Sequence, residues 1–236
     1  MIRVEAVSKK FGKLQVLQKV DLTCNSGECI ALIGPNGCGK TTLIKSILNM
    51  VIPDSGRILV NGKDISGDFL YRSDIGYMPQ IGRYPENMNV GQVIETIQTL
   101  RGADKSVDTD LYEAYKMQQL LGKRMNTLSG GTRQKVSAVL AFMFNPGILI
   151  LDEPTAGLDP LAAEILKEKI MAEMQRKKLV MITSHLLSEL EDIVSEVVFM
   201  QDGSVAFHKS NAALKADTGK DSIAKAISHI LREQAS

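Results

Sequence analysis

CIALIGPNGCGKTT (29–42) is the stretch on which the fold turns. Its first five residues form an unbroken apolar run with β-branched Ile30 and Ile33, the pattern of a strand buried on both faces in a parallel sheet. Gly34, Gly37 and Gly39 then bend the chain. TTLIKSILNM (41–50) follows, with Leu43, Ile44, Ile47 and Leu48 spaced along one face of a helix. A buried strand, a glycine turn and an amphipathic helix open an α/β fold.

The same reasoning places the other elements. IRVEAV (2–7) and VLQKVDL (16–22) alternate, which predicts two antiparallel strands, the second with a bulge. RILVNG (57–62) and IGYMPQ (75–80) read as strands, the latter stopped by Pro79. ILIL (148–151), LVMITS (179–184) and EVVFMQ (196–201) read as further buried strands, with a long helix over 160–177. SVAFH (204–208) returns as a hairpin over Asp202-Gly203. Between 90 and 121 the pattern changes. VGQVIETIQTLRG and TDLYEAYKMQQLLG both read as amphipathic helices, and a third helix follows residue 129. The expectation is one domain over 1–236, with an α/β core and β part (1–85 and 145–210), a helical subdomain (86–144) and a short helical tail (210–236) around Asp217-Thr218-Gly219.

The chain has 236 residues, 28 Lys plus Arg against 27 Asp plus Glu, and a formal net charge of +1. That balance supplies no general attraction to nucleic acid or anionic lipid. Cys24, Cys29 and Cys38 form no CxxC pair, and an odd number does not make a disulfide framework, which points to a reducing compartment. MIRVEAVSKKFGK carries no apolar core of a signal peptide. VSAVLAFMF (136–144) is too short to cross a bilayer, so action at a membrane requires another chain to span it. The 11 methionines are scattered, mostly on apolar helix faces, and read as core. His208 and His229 read as surface residues.

GxxxxGK[ST] is matched at Gly34, Gly39, Lys40 and Thr41. Phosphate oxygens need several donors converging on one point, and a glycine bend turns successive backbone N–H groups inward where side chains would obstruct them. Lys40 adds a full charge near the outer phosphates, and the Thr41 hydroxyl suits Mg²⁺. ILILDEP (148–154) supplies carboxylates at a strand end: Asp152 to hold Mg²⁺ and Glu153 to polarise an attacking water. Cys38, inside the loop, reads as a small filler residue.

LSGGTRQK (128–135) opens a helix between these two motifs, and at this point nearly the whole chain resembles an ABC transporter nucleotide-binding subunit. The resemblance implies a P-loop NTPase of ABC type. It implies that Phe11 stacks on adenine, and that the loop Gly34, Pro35, Asn36, Gly37, Cys38, Gly39, Lys40, Thr41 and Thr42 binds the phosphates of ATP. Gln80 matches the glutamine of the Q-loop, a catalytic and Mg²⁺ position. Gly157-Leu158-Asp159 matches the D-loop, and His185 matches the switch histidine that contacts the γ-phosphate. Glu153 is implied as the general base, with Asp152, Thr41 and Gln80 at the metal. Ser129, Gly130 and Gly131, with Asp159, would serve ATP across a twofold interface with a second copy of the chain. Two positions depart from the common pattern: Phe11 stands where tyrosine is frequent, and Thr132 where glutamine is frequent. Every catalytic position is filled.

The segment IGRYPENMNVGQ (81–92) is implied to receive an integral membrane subunit, which places the chain on the cytoplasmic face of the inner membrane. An alternative, an ABC ATPase acting on ribosomes or DNA, fits less well. Translation-type members carry two cassettes in one chain. DNA-repair members split theirs with a coiled coil, and 39–129 holds no heptad array. The tail ALKADTGKDSIAKAI looks like the end of ABC-2-type exporter ATPases, a group that includes the ATPase of the system maturing the copper sites of nitrous-oxide reductase, and the overall look fits that subgroup.

Overall fold

The computed structural model describes residues 1–102, 107–184 and 191–234. The chain divides into two compact units, Met1–Tyr71 with Met181–Ser236, and Arg72–Val180.

The first unit opens with β1 (Ile2–Phe11), β2 (Leu14–Cys24), β3 (Cys29–Ile33), α1 (Lys40–Ile47), β4 (Ser55–Val60) and the short β5 (Lys63–Asp64). β1 lies antiparallel between β2 and β4, and β5 extends beyond β4. Ile2, Val4 and Val7 of β1 are all buried, a step that plain alternation forbids. A bulge accounts for it: Ala6 has φ 48°, the register shifts between Val4 and Val7, and the Ala6 N–H donates to Asp21 Oδ1 at 2.8 Å. Lys19 of β2 has φ 44°, so the bulge expected there has a counterpart in β1.

The second unit holds β6 (Ile75–Met78), α2 (Val90–Arg101), α3 (Asp110–Ala114), α4 (Gly130–Phe142), β7 (Ile148–Asp152) and α5 (Pro160–Gln175). β6 and β7 run parallel, Ile75 opposite Ile148 and Met78 opposite Leu151. Asn89 starts α2 with a reciprocal cap: its side chain accepts from the Gln92 N–H at 2.8 Å, and the Gln92 side chain accepts from the Asn89 N–H at 3.0 Å. The helix expected across TDLYEAYKMQQLLG forms only in part. α3 stops at Ala114, Lys116 takes φ 52°, and a 3₁₀ turn follows over Met117–Leu120. The break frees Tyr115 to donate its hydroxyl to the Ala162 carbonyl at 2.8 Å and sinks Met117 into the core.

β8 (Leu179–Thr183) carries the chain back into the first unit, where β9 (Glu196–Gln201), β10 (Ser204–Ser210), α6 (Asn211–Thr218) and α7 (Ile223–Gln234) follow. β3 pairs parallel with β9, and β9 pairs antiparallel with β10. Asp202 (φ 48°) and Gly203 (φ 79°) make the expected hairpin turn. The turn packs hard on β2: the Gln18 N–H donates to the Gly203 carbonyl at 2.8 Å, and a Cβ on Gly203 would lie 2.6 Å from the Val16 carbonyl oxygen. Ser210 caps α6, left-handed Gly219 ends it, and Ile223, Ala226 and Ile227 bury α7. Cys24 and Cys29 are buried free thiols, each pushed up to about 12 chiefly by burial, which makes them inert. No helix among the described residues is long and apolar enough to cross a membrane.

The second unit contains a buried charge cluster. Lys169 of α5 sits at 2.5 Å from Asp108, 2.6 Å from Asp110 and 3.0 Å from Glu173. Lys178 also bonds Glu173, whose side chain is 1% exposed. Burial alone would push the Glu173 carboxyl up, but hydrogen bonds from Lys178 and Lys169 outweigh it and hold the group below its ordinary range. Its stabilising contribution is therefore complete above about pH 4.3 and is lost as pH falls through the depressed value. Lys169→Met strands buried carboxylates and should cost about 3–5 kcal/mol. Urea denaturation across the acid range checks this, with a shallower acid slope expected in the variant; a cost under about 1 kcal/mol would mean the cluster is water-exposed in solution.

Candidate functional site

Within the first unit, β3 delivers the chain to the glycine loop. Gly34 has φ 153°, and a Cβ there would lie 2.1 Å from the Met200 carbonyl oxygen and 2.7 Å from Cys38 Sγ. Gly39, at φ 107°, would place a Cβ 2.8 Å from the Val16 carbonyl oxygen. Both glycines are therefore demanded by backbone shape and by close packing on β9 and β2. Cys38 is buried in the loop and fills space beneath it. Lys40 begins α1 and reaches back over the loop, donating to the Gly34 carbonyl at 2.7 Å and the Pro35 carbonyl at 3.2 Å. Gly39 provides no side-chain cap, and the first turn of α1 has no acidic residue, so the positive helix end is not neutralised from within. Buried Leu43, Ile44 and Ile47 anchor the helix, with Thr41 exposed at its start. Phe11, at the end of β1, is 51% exposed, and Lys9 Nζ stands 5.5 Å from its ring centre. An exposed ring at a hairpin tip is a stacking platform for a flat aromatic group.

Within the second unit, all five residues of β7 are buried, and the carboxylates come at its exit. Asp152 is 7% exposed and Glu153 9%. Glu153 has φ 52°, a left-handed conformation that costs a non-glycine residue about 1–3 kcal/mol and persists only where the surroundings impose it. Two donors fix its carbonyl: Gln134 Nε2 at 3.2 Å and the Ala156 N–H at 3.1 Å. Tyr77 is pushed up to about 12, first by burial and then by the negative charge of Asp152. Gln80 lies exposed in the bend after β6.

Ser129 caps α4. Its Oγ accepts from the Thr132 N–H at 3.2 Å and lies 2.9 Å from Thr132 Oγ1, so the unusual threonine touches the capping serine directly. Gly130 is open, whereas a Cβ on Gly131 would lie 2.4 Å from the Gly157 carbonyl oxygen. Asp159 caps α5 through the Ala162 N–H at 2.9 Å and pairs with Lys135 at 2.6 Å. The hydrogen bond from Lys135, then that from Ala162, holds its carboxyl below the usual range. The second unit thus gathers Ser129, Gly131, Glu153 and Asp159 around one end of α4. His185, expected at the γ-phosphate, lies outside the described residues. Gln134 and Lys135 escaped the sequence reading, although they stand three and four positions after Gly131 on one helix face.

The model of the ABC transporter family matches residues 17–156, more than half of the chain. The chain belongs to the ABC transporter family. Within that family it is an ATP-binding cassette, an ATPase. It is similar to the Nod factor export ATP-binding protein I of Rhizobium sp. (strain N33), 31% identical over 86% of this chain and 68% of that protein. It is also similar to the lantibiotic transport ATP-binding protein SrtF of Streptococcus pyogenes, 29% identical over 89% of this chain and 90% of that one. A solved ATP binding subunit of an ABC transporter matches at 26% identity with a TM-score of 0.90, over 98% of this chain and 99% of the other. The dimeric bacterial ABC transporter cassette MJ0796 shares the fold at 22% identity and a TM-score of 0.79, over 89% and 99%. The fold expected from the glycine loop and strand pattern is the one found.

The close approach at Gly131 separates the two signature glycines of the cassette. Gly131→Ala drives a Cβ into backbone and should cost about 1–3 kcal/mol, whereas Gly130→Ala should stay within about 0.5 kcal/mol. Paired denaturant titrations decide this, and equal costs would show that α4 does not rest on the Gly157 loop.

Proposed function

We propose that this cassette is the ATP-hydrolysing motor subunit of an exporter, dimerising around two ATP molecules to drive a separate membrane subunit. The observation that carries the reading is the carboxylate exit of β7, with Asp152 and Glu153 both buried and Glu153 held in a costly backbone conformation. A strand end selected only for solubility has no need of either. In this reading the cassette is one domain whose residues 86–144 form its helical subdomain.

Each residue then has a chemical role. Phe11 stacks on adenine, and the 34–42 loop with Lys40 cradles the phosphates. Glu153 accepts the proton of a water whose oxygen attacks the γ-phosphorus, giving ADP and inorganic phosphate, with Gln80 orienting that water and His185 contacting the γ-phosphate. Among the described residues no His, Cys, Asp and Glu cluster forms a dedicated metal cage. The hydroxyl of Thr41, the carboxylate of Asp152 and the amide oxygen of Gln80 are hard donors of the kind that share Mg²⁺ with phosphate and water. Bound there, Mg²⁺ would neutralise charge on the β- and γ-phosphate oxygens. Ser129, Gly130 and Gly131 begin α4 as an anion site for ATP held by a second copy, with Asp159 beside them. The dimeric state of MJ0796, a protein of the same fold, supports that arrangement.

Segment 81–92 is the proposed seat of the membrane subunit, which puts the cassette at the cytoplasmic face of the inner membrane without nucleic-acid partners. Both relatives named above serve export or transport by their names. The tail extends the reading to ABC-2-type export, with copper or sulfur delivery for nitrous-oxide reductase maturation as the cargo.

Glu153→Gln should keep ATP binding and lower turnover by about 10²–10⁴-fold, while Lys40→Ala should lose binding. Phosphate release and equilibrium nucleotide binding separate the two. The Glu153→Gln protein, tagged and extracted gently with ATP and Mg²⁺, should bring down a multi-span membrane protein; ribosomes or nucleic acid in its place would overturn the motor reading.

A further inference from the structure

Helix α4 meets the loop after β7 at three places along one face. Gly131 approaches the Gly157 carbonyl, Gln134 donates to the Glu153 carbonyl at 3.2 Å, and Lys135 pairs with Asp159 at 2.6 Å. These contacts are unequal. The first involves no side chain. The ion pair is partly solvated, its side chains 25% and 53% exposed, and solvated pairs hold little. Gln134 is buried, 5% exposed, and a buried amide beside apolar Val136, Ala138 and Val139 is unfavourable unless its hydrogen bonds are made.

The two donors on the Glu153 carbonyl also differ in origin. Ala156 lies three residues on, so its N–H closes a local turn whatever α4 does. Gln134 comes from another element. Its buried amide links the Glu153 peptide to the helix that begins at Ser129, a link the local turn does not supply.

We propose that Gln134 is a positioning residue for hydrolysis: its side-chain amide locks the Glu153 peptide to α4, so that the aim of the Glu153 carboxylate follows the seating of the signature helix. The inference rests on the reading of Glu153 as general base. It makes the two half-sites of one chain mechanically dependent. Engagement of Ser129 with a phosphate of the neighbouring copy would be passed along α4, within two helical turns, to the base that serves the chain's own nucleotide.

The test is steady-state hydrolysis by the full chain with Mg²⁺ and ATP. Gln134→Met keeps the length of the side chain and removes the donor. It should lower kcat by about 10- to 100-fold and leave the affinity for ATP unchanged, because misaimed chemistry spoils the transition state and not the bound ground state. In a Glu153→Gln background the same substitution should lower the residual turnover no further, since no base remains to be aimed. Should Gln134→Met not yield folded protein, Gln134→Asn carries the same test, keeping a buried amide but withdrawing it from the carbonyl. An unchanged kcat, a parallel loss of ATP affinity, or a further loss in the Glu153→Gln background would each overturn the proposal. Full turnover by Glu153→Gln alone would instead remove the base assignment on which it rests. A dead Glu153→Gln beside a normal Gln134→Met would sink the role of Gln134 only.

Discussion

A strand buried on both faces has to release the chain at its end, and the glycine loop and the Asp152-Glu153 pair stand at two such exits. β3 is apolar throughout and β7 is apolar up to Asp152, which is itself buried, so neither ends by fading gradually into solvent. Each ends in a sharp turn, and the two turns are made differently. After β3, glycines take the positive φ values and leave the backbone bare, which is what an anion needs. After β7, Glu153 takes a left-handed conformation while keeping a carboxylate, so the strain falls on the residue proposed as the base. Backbone cost is accepted at both points, and in both the neighbouring elements hold it in place.

What holds the second turn is α4. Its N-terminus presents Ser129, and its next turn bears on Glu153, Gly157 and Asp159. A different part of the same helix binds the segment proposed to meet the membrane subunit. Tyr84 Oη lies 2.9 Å from Ser137 Oγ, and a Cβ on Gly82 would come within 2.4 Å of that oxygen. One helix therefore carries Ser129 at its start and touches both the loop of Glu153 and the chain after Gln80. A rigid element with three polar attachments transmits displacement better than a chain of loops, because helical hydrogen bonds resist internal change.

The readable parts of the sequence were those governed by short-range rules. β3 and β7 declared themselves as apolar runs, the phosphate loop by its glycines, the β9–β10 hairpin by Asp202-Gly203, and the end of α6 by Gly219. The bulge at Ala6 was not readable, because IRVEAV alternates acceptably either way until its partner Asp21 is in place. The break at Lys116 was hidden for a similar reason. TDLYEAYKMQQLLG is rich in helix formers such as Leu, Glu, Ala, Met and Gln, and the long-range bond from the Tyr115 hydroxyl to the Ala162 carbonyl, made at the break, is not visible in it. Lys169 and Glu173, four apart on α5, look like a solvated ion pair on paper and prove to be the centre of a buried cluster. The strands and turns that hold the motifs were legible, whereas the residues that steady those turns from other elements were not.

Helix α4 shows why that division is physical. Its periodicity is weak, since Gln134 and Ser137 are buried among apolar neighbours where an amphipathic pattern would put Leu or Val. Read as propensity, these are poor choices for a core-facing helix. Buried polar groups require partners, however, and each of these finds its partner in a loop that carries no regular structure. An apolar side chain at either place would pack as well and would leave the loop free to drift, since packing is non-directional and a hydrogen bond is not. The lapse in amphipathicity is thus the local mark of a long-range constraint. Where this helix gives up apolar contact in its interior, it does so to hold loops, one by its backbone at Glu153 and one by the Tyr84 hydroxyl, that no strand or helix of their own can fix.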